Sequence, residues 1–489
     1  MRIGENIYKI DEQDNVAVAL EDIPADSVFE HNEPIGKNHK IALCDIPAGG
    51  KIVKYGNVIG IAENDIGKGD LVHTHNIRSE ITDSFAAGVS RKCSKVFFRL
   101  PSRSFWGYRR SDGEVGIRNE VYIVPTVGCI NHSAERIASH FQGRSSENFD
   151  GVTAFTHNCG CSQLSEDLEN TQKILKGIVK HPNASGVLVL SLGCENNNIS
   201  EFKKILGKID ERRVRFLTAQ ECGDEVAEGI KIVEDLIAEA ERQHREECGI
   251  EKLRIGVKCG GSDSLSGITA NVLVGEFSDS FIAGGGNIMM TEVPEIFGAE
   301  HILEGRIDDE KVRSDFEKLI RNFKKYYVDN DQPMDRNPSP GNHAGGISTL
   351  AEKSLGCIQK SGHNEITDVL AYGGSFRKKG LTLIEAPGND MISQTALAAG
   401  GAQLILFTTG RGTPLGASVP TVKISTNSDL YRKKRAWIDF DAGVLLDGQR
   451  EGVAERFYNY IFDVINGQKT NNEVNGFKEI SIWKTGVTL

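Results

Sequence analysis

The stretch VYIVPTVGCINHSAERIASHFQ, residues 121–142, decides the fold. Its first half is a short apolar run of strand length. Its second half carries apolar residues at helical spacing among polar ones. The same unit recurs downstream: GVTAFTHNCGC (151–161) precedes LSEDLENTQKILKGIVKH (164–181), and GVLVLSLGCENN (186–197) precedes ISEFKKILGKI (199–209). Strand-then-helix alternation of this kind predicts a parallel sheet covered by helices.

Working outward, residues 35–77 read differently. Short β-branched runs are cut by Gly, Asn and Pro, and end in VHTHN at 72–76. We expect a small β-rich unit over 1–90 and a basic linker over 91–108. An α/β unit over 109–250 should follow, closed by a long amphipathic helix at 223–250. The rest, 251–489, reads as a third unit. There LRIGVKCGGSDSLSG, LTLIEAPGND, LILFTTGRGTP and TVKISTN are again strands ending in polar loops. Residues 329–363 read as a long Pro- and Gly-rich loop, of the sort that often carries function. The fold class is α/β: a small β-rich N-terminal domain, then two larger α/β regions with mostly parallel sheets.

Lys plus Arg is 57 and Asp plus Glu is 68 in 489 residues, a net charge of -11. That balance argues against nucleic acid as a partner, yet leaves room for an anionic small molecule held by a few local cations. No apolar run reaches membrane-spanning length, and the first residues lack the apolar core of a signal peptide. Ten cysteines without such a signal point to a reducing, cytoplasmic setting with free thiols or ligands. AGGG at 283–286 lacks dinucleotide-binding spacing, so no nucleotide cofactor is expected. Assembly as a homo-oligomer is left open.

The chemistry-bearing residues gather where apolar runs end. In VHTHN, His73 and His75 are two apart, which on a strand gives one face and a grip on a metal or an anion. THNCGCSQ sets His157, Cys159 and Cys161 close together, and soft thiolates with imidazoles suit iron or zinc. LGCENNN places Cys194, Glu195, Asn196 and Asn197 directly after an apolar strand, and burying so many polar groups needs partners. One helix cap would account for one of them only. CGGSDSLSG resembles an anion-binding loop, in which Ser262 and Ser264 add donors beside its glycines. Asn389, Asp390, Arg411 and Thr413 close two later strands, and an Arg between glycines is a fair carboxylate clamp.

Taken together and in order, longer motifs carry a resemblance. PTVGC, GCSQL, LGCENN, CGGSDSLSGITAN, TEVPEIFGAE, NPSPGN, GGISTL, KSLGC, APGND, TTGRGTP, VPTVKISTNS, WIDFDAG and KTGVTL are similar to the altronate/galactarate dehydratase family. KYG, VHTHN and RRSDGEVGIRNE near the N-terminus also fit, so the resemblance spans nearly the whole chain.

It implies an N-terminal SAF domain, a sugar-acid substrate, and dehydration of a hexonate to a 2-keto-3-deoxy acid with a divalent metal, Fe2+ ahead of Mn2+. Altronate is expected ahead of galactarate. Such chemistry needs a metal to stabilise charge on the carboxylate, a base at C2 and an acid at C3. His73, His75, His157 and Glu195 are the expected catalytic groups, with His73, His75, Cys161 and Cys194 as metal ligands. Arg118, Asn196, Asn197, Ser262, Asp263, Asn389, Asp390, Arg411 and Thr413 are the expected substrate contacts. Two other readings stay open. One is an iron–sulfur dehydratase using three of Cys129, Cys161, Cys194 and Cys259. The other is a sugar-acid sensor without turnover.

Overall fold

The strand–helix alternation folds as two parallel sheets in the computed structural model, which describes residues 6–25, 33–79, 98–448, 450–486 and 488. The first sheet holds β1 (Glu120–Pro125), β2 (Gly151–Ala154), β3 (Ala184–Ser191) and β4 (Val214–Thr218), in the order β2-β1-β3-β4. All its pairings are parallel. β3 is buried at every position because helices cover both faces, which is why ASGVLVLS reads as a continuous run and not as an alternation.

The second sheet holds β5 (Arg254–Cys259), β6 (Asn287–Met290), β7 (Ile366–Leu370), β8 (Leu381–Ile384), β9 (Leu404–Thr409), β10 (Thr421–Ser425) and β11 (Phe440–Asp441). Its order is β7-β8-β6-β5-β9-β10-β11, again parallel throughout. Strands spread to one side of β5 through β6 and to the other through β9. The loops leaving β5 and β9 stay bonded, Gly410 N and Arg411 N both donating to Gly261 O, and the open cavity lies instead past the C-terminal ends of β5, β6 and β8.

The N-terminal unit is two small antiparallel sheets. One runs Ile7–Tyr8, Val16–Ala19, Lys40–Ala42, Leu71–Val72, and the other Lys51–Lys54, Asn57–Ala62, Ile77–Arg78. It packs on the third unit through buried charge: Lys40 and Lys54 both bond Glu352, at 2.8 and 2.7 Å. Burial alone would raise the Glu352 carboxyl, but the two ammonium groups hold it down to about 2.

Three expectations need correction. VHTHN is not a strand: the ladder stops at Val72 and resumes at Ile77. Residues 73–76 form a turn in which Asn76 N donates to His73 O at 2.9 Å and the Asn76 side chain accepts from His73 N. His73 and His75 thus share no strand face. The long helix spans only Glu225–Glu241, and Glu246–Gly249 is a strand pairing antiparallel with Ser104–Arg109. That partner lies inside the expected linker, whose residues 91–97 fall outside those described. The 329–363 stretch is not all loop: Ser339 and Asn342 form a capping box that starts a short helix at Pro340–Ala344, and Thr349 caps α1 (Leu350–Cys357).

Candidate active site

At the end of β5 a lysine stands in an otherwise apolar strand. Lys258 is fully buried, and its ammonium donates to Glu292 Oε1 at 2.6 Å, Asp390 Oδ1 at 2.7 Å and Cys259 O at 2.9 Å. Burial works against its charge, but Asp390 and Glu292 outweigh that and its pKa rises. Glu292 sits in the left-handed region, φ 70°, which turns its carboxylate back under the sheet. Its other oxygen takes Lys360 at 2.9 Å, and Lys360 also lies 3.3 Å from Cys259 Sγ. Beside them Glu295 accepts from Lys353 at 2.8 Å and from the Cys357 thiol at 3.0 Å. Burial alone would raise Glu295; Lys353, Lys258 and Lys360 hold it down to about 2. Three ammonium groups thus face three carboxylates, the balance that buried charge requires.

This network forms one wall of a cavity of about 780 Å³. Glu295, Lys353 and Asp390 reach it from the network. Asn330, Gln332, Asn337, Ser339 and Asn342 line it with amides and a hydroxyl, and Arg336 stands at its margin. Asp390 begins the helix α2 (Asp390–Ala399), and its side chain is 34% exposed there. Gly260 must lack a side chain, since a Cβ would lie 2.6 Å from both Asp390 oxygens. Gly261, φ 60°, has the Arg411 stem over it. Arg336 and Arg411 are exposed and have no acidic partner among the described residues.

Of the expected contacts near this cavity, Asp390 and Asn389 line it, though the Asn389 side chain is engaged in capping α2. Asp263 is buried and accepts from Thr426, Ser266 and Asn427. Ser262 Oγ is buried without a partner, and its carbonyl accepts from Asn342 Nδ2 at 2.9 Å. Thr413 Oγ1 accepts from Leu415 N at 3.2 Å.

His73 belongs to a second cluster, at the junction with the N-terminal unit. Its ring lies 5.1 Å from His39 and 6.1 Å from His343, edge to face. His39 Nδ1 donates to Lys37 O at 3.1 Å and His343 Nδ1 to Ile347 O at 2.8 Å. His73 Nδ1 lies 3.1 Å from Ser348 Oγ. Every Nδ1 is therefore occupied, which leaves Nε2 as the ligand atom, the arrangement that metal-binding imidazoles use. Burial, with Lys40 nearby, lowers His73 to about 4, so it is neutral at pH 7. His75 is exposed and outside this cluster. The segment 339–348 joins the two places, placing Ser339 and Asn342 in the cavity and His343 and Ser348 at the junction.

The remaining expected residues lie on the first sheet, apart from both. His157 is buried with Nε2 donating to Pro125 O and Nδ1 accepting from Cys159 N. Glu195 accepts from Thr126 and Ser191 hydroxyls and from the Leu192 and Gly193 amides. Burial would raise it, yet those donors win and its pKa falls. Asn196 and Asn197 tie loops together, and Cys161 and Cys194 are exposed. Arg118 touches neither cluster: it is buried in a bidentate pair with Glu473 and bonds three carbonyls. Arg118→Ala should lower unfolding stability by about 3–5 kcal/mol, the usual cost of orphaning a buried partner. KM of the folded fraction should stay unchanged. Denaturant titration beside steady-state kinetics checks this, and a raised KM with native stability would contradict it.

Residue-type reasoning passed over Lys258, Glu292, Glu295, Lys353, Cys357 and Lys360, as well as His39 and His343. A lysine inside RIGVKC was the available signal, because an unpaired lysine is almost never buried.

Family models cover the chain in three consecutive pieces. The altronate/galactarate dehydratase SAF domain matches residues 5–80. The D-galactarate dehydratase/altronate hydrolase second domain matches 107–241, and the D-galactarate/altronate dehydratase C-terminal model matches 250–488. An altronate dehydratase of Bacillus subtilis (strain 168) is 47% identical over 99% of this chain and 100% of its own length. The chain belongs to the altronate/galactarate dehydratase family. A second altronate dehydratase, from Escherichia coli (strain K12), is 45% identical over 98% of the chain and 99% of its own length. The L-threo-forming galactarate dehydratase of the same organism is 32% identical over 94% of the chain and 93% of its own length. As a member of the altronate/galactarate dehydratase family the chain is a hydro-lyase, which sets aside the sensor reading. No helix of the described residues is long and apolar enough to cross a membrane.

Proposed function

We propose that the chain removes water from D-altronate to give 2-keto-3-deoxy-D-gluconate, with the β5 cavity as the substrate site and the cytoplasm as its setting. The match to two altronate dehydratases at 47% and 45%, against 32% for the galactarate enzyme, carries the choice of substrate. The amide- and hydroxyl-rich lining supports it, since a polyhydroxy acid needs many donors and acceptors in a polar cleft.

The imidazoles at the junction are the nitrogen donors suited to a divalent metal, Fe2+ or Mn2+. His39, His73 and His343 would hold it, and it would supply Lewis acidity toward the substrate carboxylate and C2 hydroxyl. Their ring nitrogens do not lie within 4.8 Å of one another, so ion binding would have to draw the three rings together. Cys259, Glu295 and Cys357 do offer donors within 4.8 Å of one another, the one such triad among the described residues. They suit a cation less well, because Lys353 and Lys360 already occupy two of them.

The chain's own groups perform the rest. Arg336 and Arg411, without acidic partners among the described residues, are guanidinium forks for a carboxylate. Asp390 is the C2 base: Lys258 holds one oxygen, and the other has no donor among the described residues. Lys353 is the cationic donor on the lining for the departing C3 hydroxyl. Under one metal condition, kcat/KM for altronate should exceed that for galactarate. A clear preference for galactarate would overturn the substrate while leaving the family intact.

A further inference from the structure

The motifs THNCGCSQ and LGCENNN look catalytic in sequence, yet His157, Gln163, Glu195 and Asn197 are buried, and His157 and Glu195 serve the loops. His157 and Glu195 have their ring nitrogens and carboxylate oxygens engaged, as described above. Beside the exposed Asn158 and Asn196, what these loops present outward is sulfur. Cys129 follows β1, Cys161 follows β2 and Cys194 follows β3, three neighbouring parallel strands, and all three residues are exposed.

The loops are tightly knitted. Gly128 N donates to Cys159 O at 3.0 Å, Asn197 N to Gly160 O at 3.1 Å, and Ser162 N to Asn196 Oδ1 at 2.8 Å. Gly160, φ 101°, admits this approach, since a Cβ there would lie 2.0 Å from Thr126 O. Within the same loops Asn197 Oδ1 and Gln163 Nε2 are buried without partners. These bonds knit the three loops into one frame that carries the three exposed thiols.

We propose that Cys129, Cys161 and Cys194 ligate an iron–sulfur cluster at the C-terminal edge of the first sheet. The donor set is all sulfur, which selects soft metals and iron–sulfur cores over Mg2+, Ca2+ or Mn2+. A single ion bound by thiolates at about 2.3 Å needs sulfurs within about 4.6 Å of one another. These three do not form such a triad, which disfavours a single ion and leaves a multi-iron core as the all-sulfur centre of wider span. Each thiol gives up one proton on ligation, and three thiolates leave one iron of a four-iron core open to a non-protein ligand. Cys259 takes no part, being buried beside Cys357 in the other sheet. This centre is separate from the junction imidazoles and does not depend on the altronate assignment.

Anaerobic reconstitution of the full chain with equal amounts of ferrous and ferric iron and with sulfide, followed by desalting, tests it, since two ferric and two ferrous ions with four sulfides make the core without a further oxidant. The expected result is iron and sulfide bound in equal amounts, with broad visible absorption. Cys129→Ser, Cys161→Ser and Cys194→Ser should each lose that band, and Cys44→Ser, exposed in the N-terminal unit, should keep it. In the unaltered chain, reconstitution should shield these three thiols from alkylation while Cys44 stays reactive, a readout that needs no variant to fold. Undiminished labelling of the three, an unchanged band in the triple variant, or metal bound without sulfide would each overturn the assignment.

Discussion

Asp390→Asn is expected to lower kcat by ~10²-fold or more, the scale on which proton-transfer groups contribute. The substitution keeps size and shape. An asparagine oxygen can still accept from Lys258, so the buried network loses a charge and keeps a hydrogen bond. Asn389 still caps α2, so the helix should start at the same residue. The melting temperature should fall moderately, because Lys258 keeps Glu292 as its charged partner, while turnover collapses, and KM should change less than kcat. Steady-state kinetics with thermal unfolding on one preparation separates these effects. Near-native kcat in the folded variant would remove Asp390 from the chemistry.

His73→Ala is the second large effect. Its ring stands between His39 and His343, so its loss takes away the imidazole both neighbours share. We expect kcat to fall by ~10²-fold or more, with a matching loss of tightly bound metal by elemental analysis. His39→Ala should behave alike. His75→Ala should leave turnover near native, because His75 is exposed and takes no part in the ring cluster. Native metal content and rate in His73→Ala, or a loss in His75→Ala equal to that in His73→Ala, would sink the junction site.

The parallel sheets were legible because β-strand periodicity and helical periodicity are local signals. VYIVP, GVLVLS and LILFTT each announce a strand within a few residues, and the polar loops after them mark one edge. The β-rich start was legible from its turns. The site was legible only in part. Asp390 and Arg411 stand at the expected strand ends, but the pairing of Lys258 with Glu292 and Asp390, and of Glu292 with Lys360, joins residues far apart in sequence. Periodicity carries no record of such contacts. His39 meets His73 because Lys40 pairs with Val72 in one small sheet, and His343 joins them only because the N-terminal unit docks on segment 339–348.

The polar residues of LGCENNN misled for a different reason. A carboxylate after a strand has the same letters whether it faces a ligand or accepts from its own loop. Glu195 takes four donors from its own neighbourhood, which only coordinates reveal. Arg118 was read the same way: it serves Glu473 and backbone carbonyls.

Metal removal tests the central claim most directly. The purified chain, chelated until elemental analysis finds no transition metal, is incubated with altronate, and 2-keto-3-deoxy acid is followed over time. Product should be absent, and should return on adding Fe2+ or Mn2+. Full turnover by the metal-free chain, or no product from altronate under any metal condition, would contradict the account.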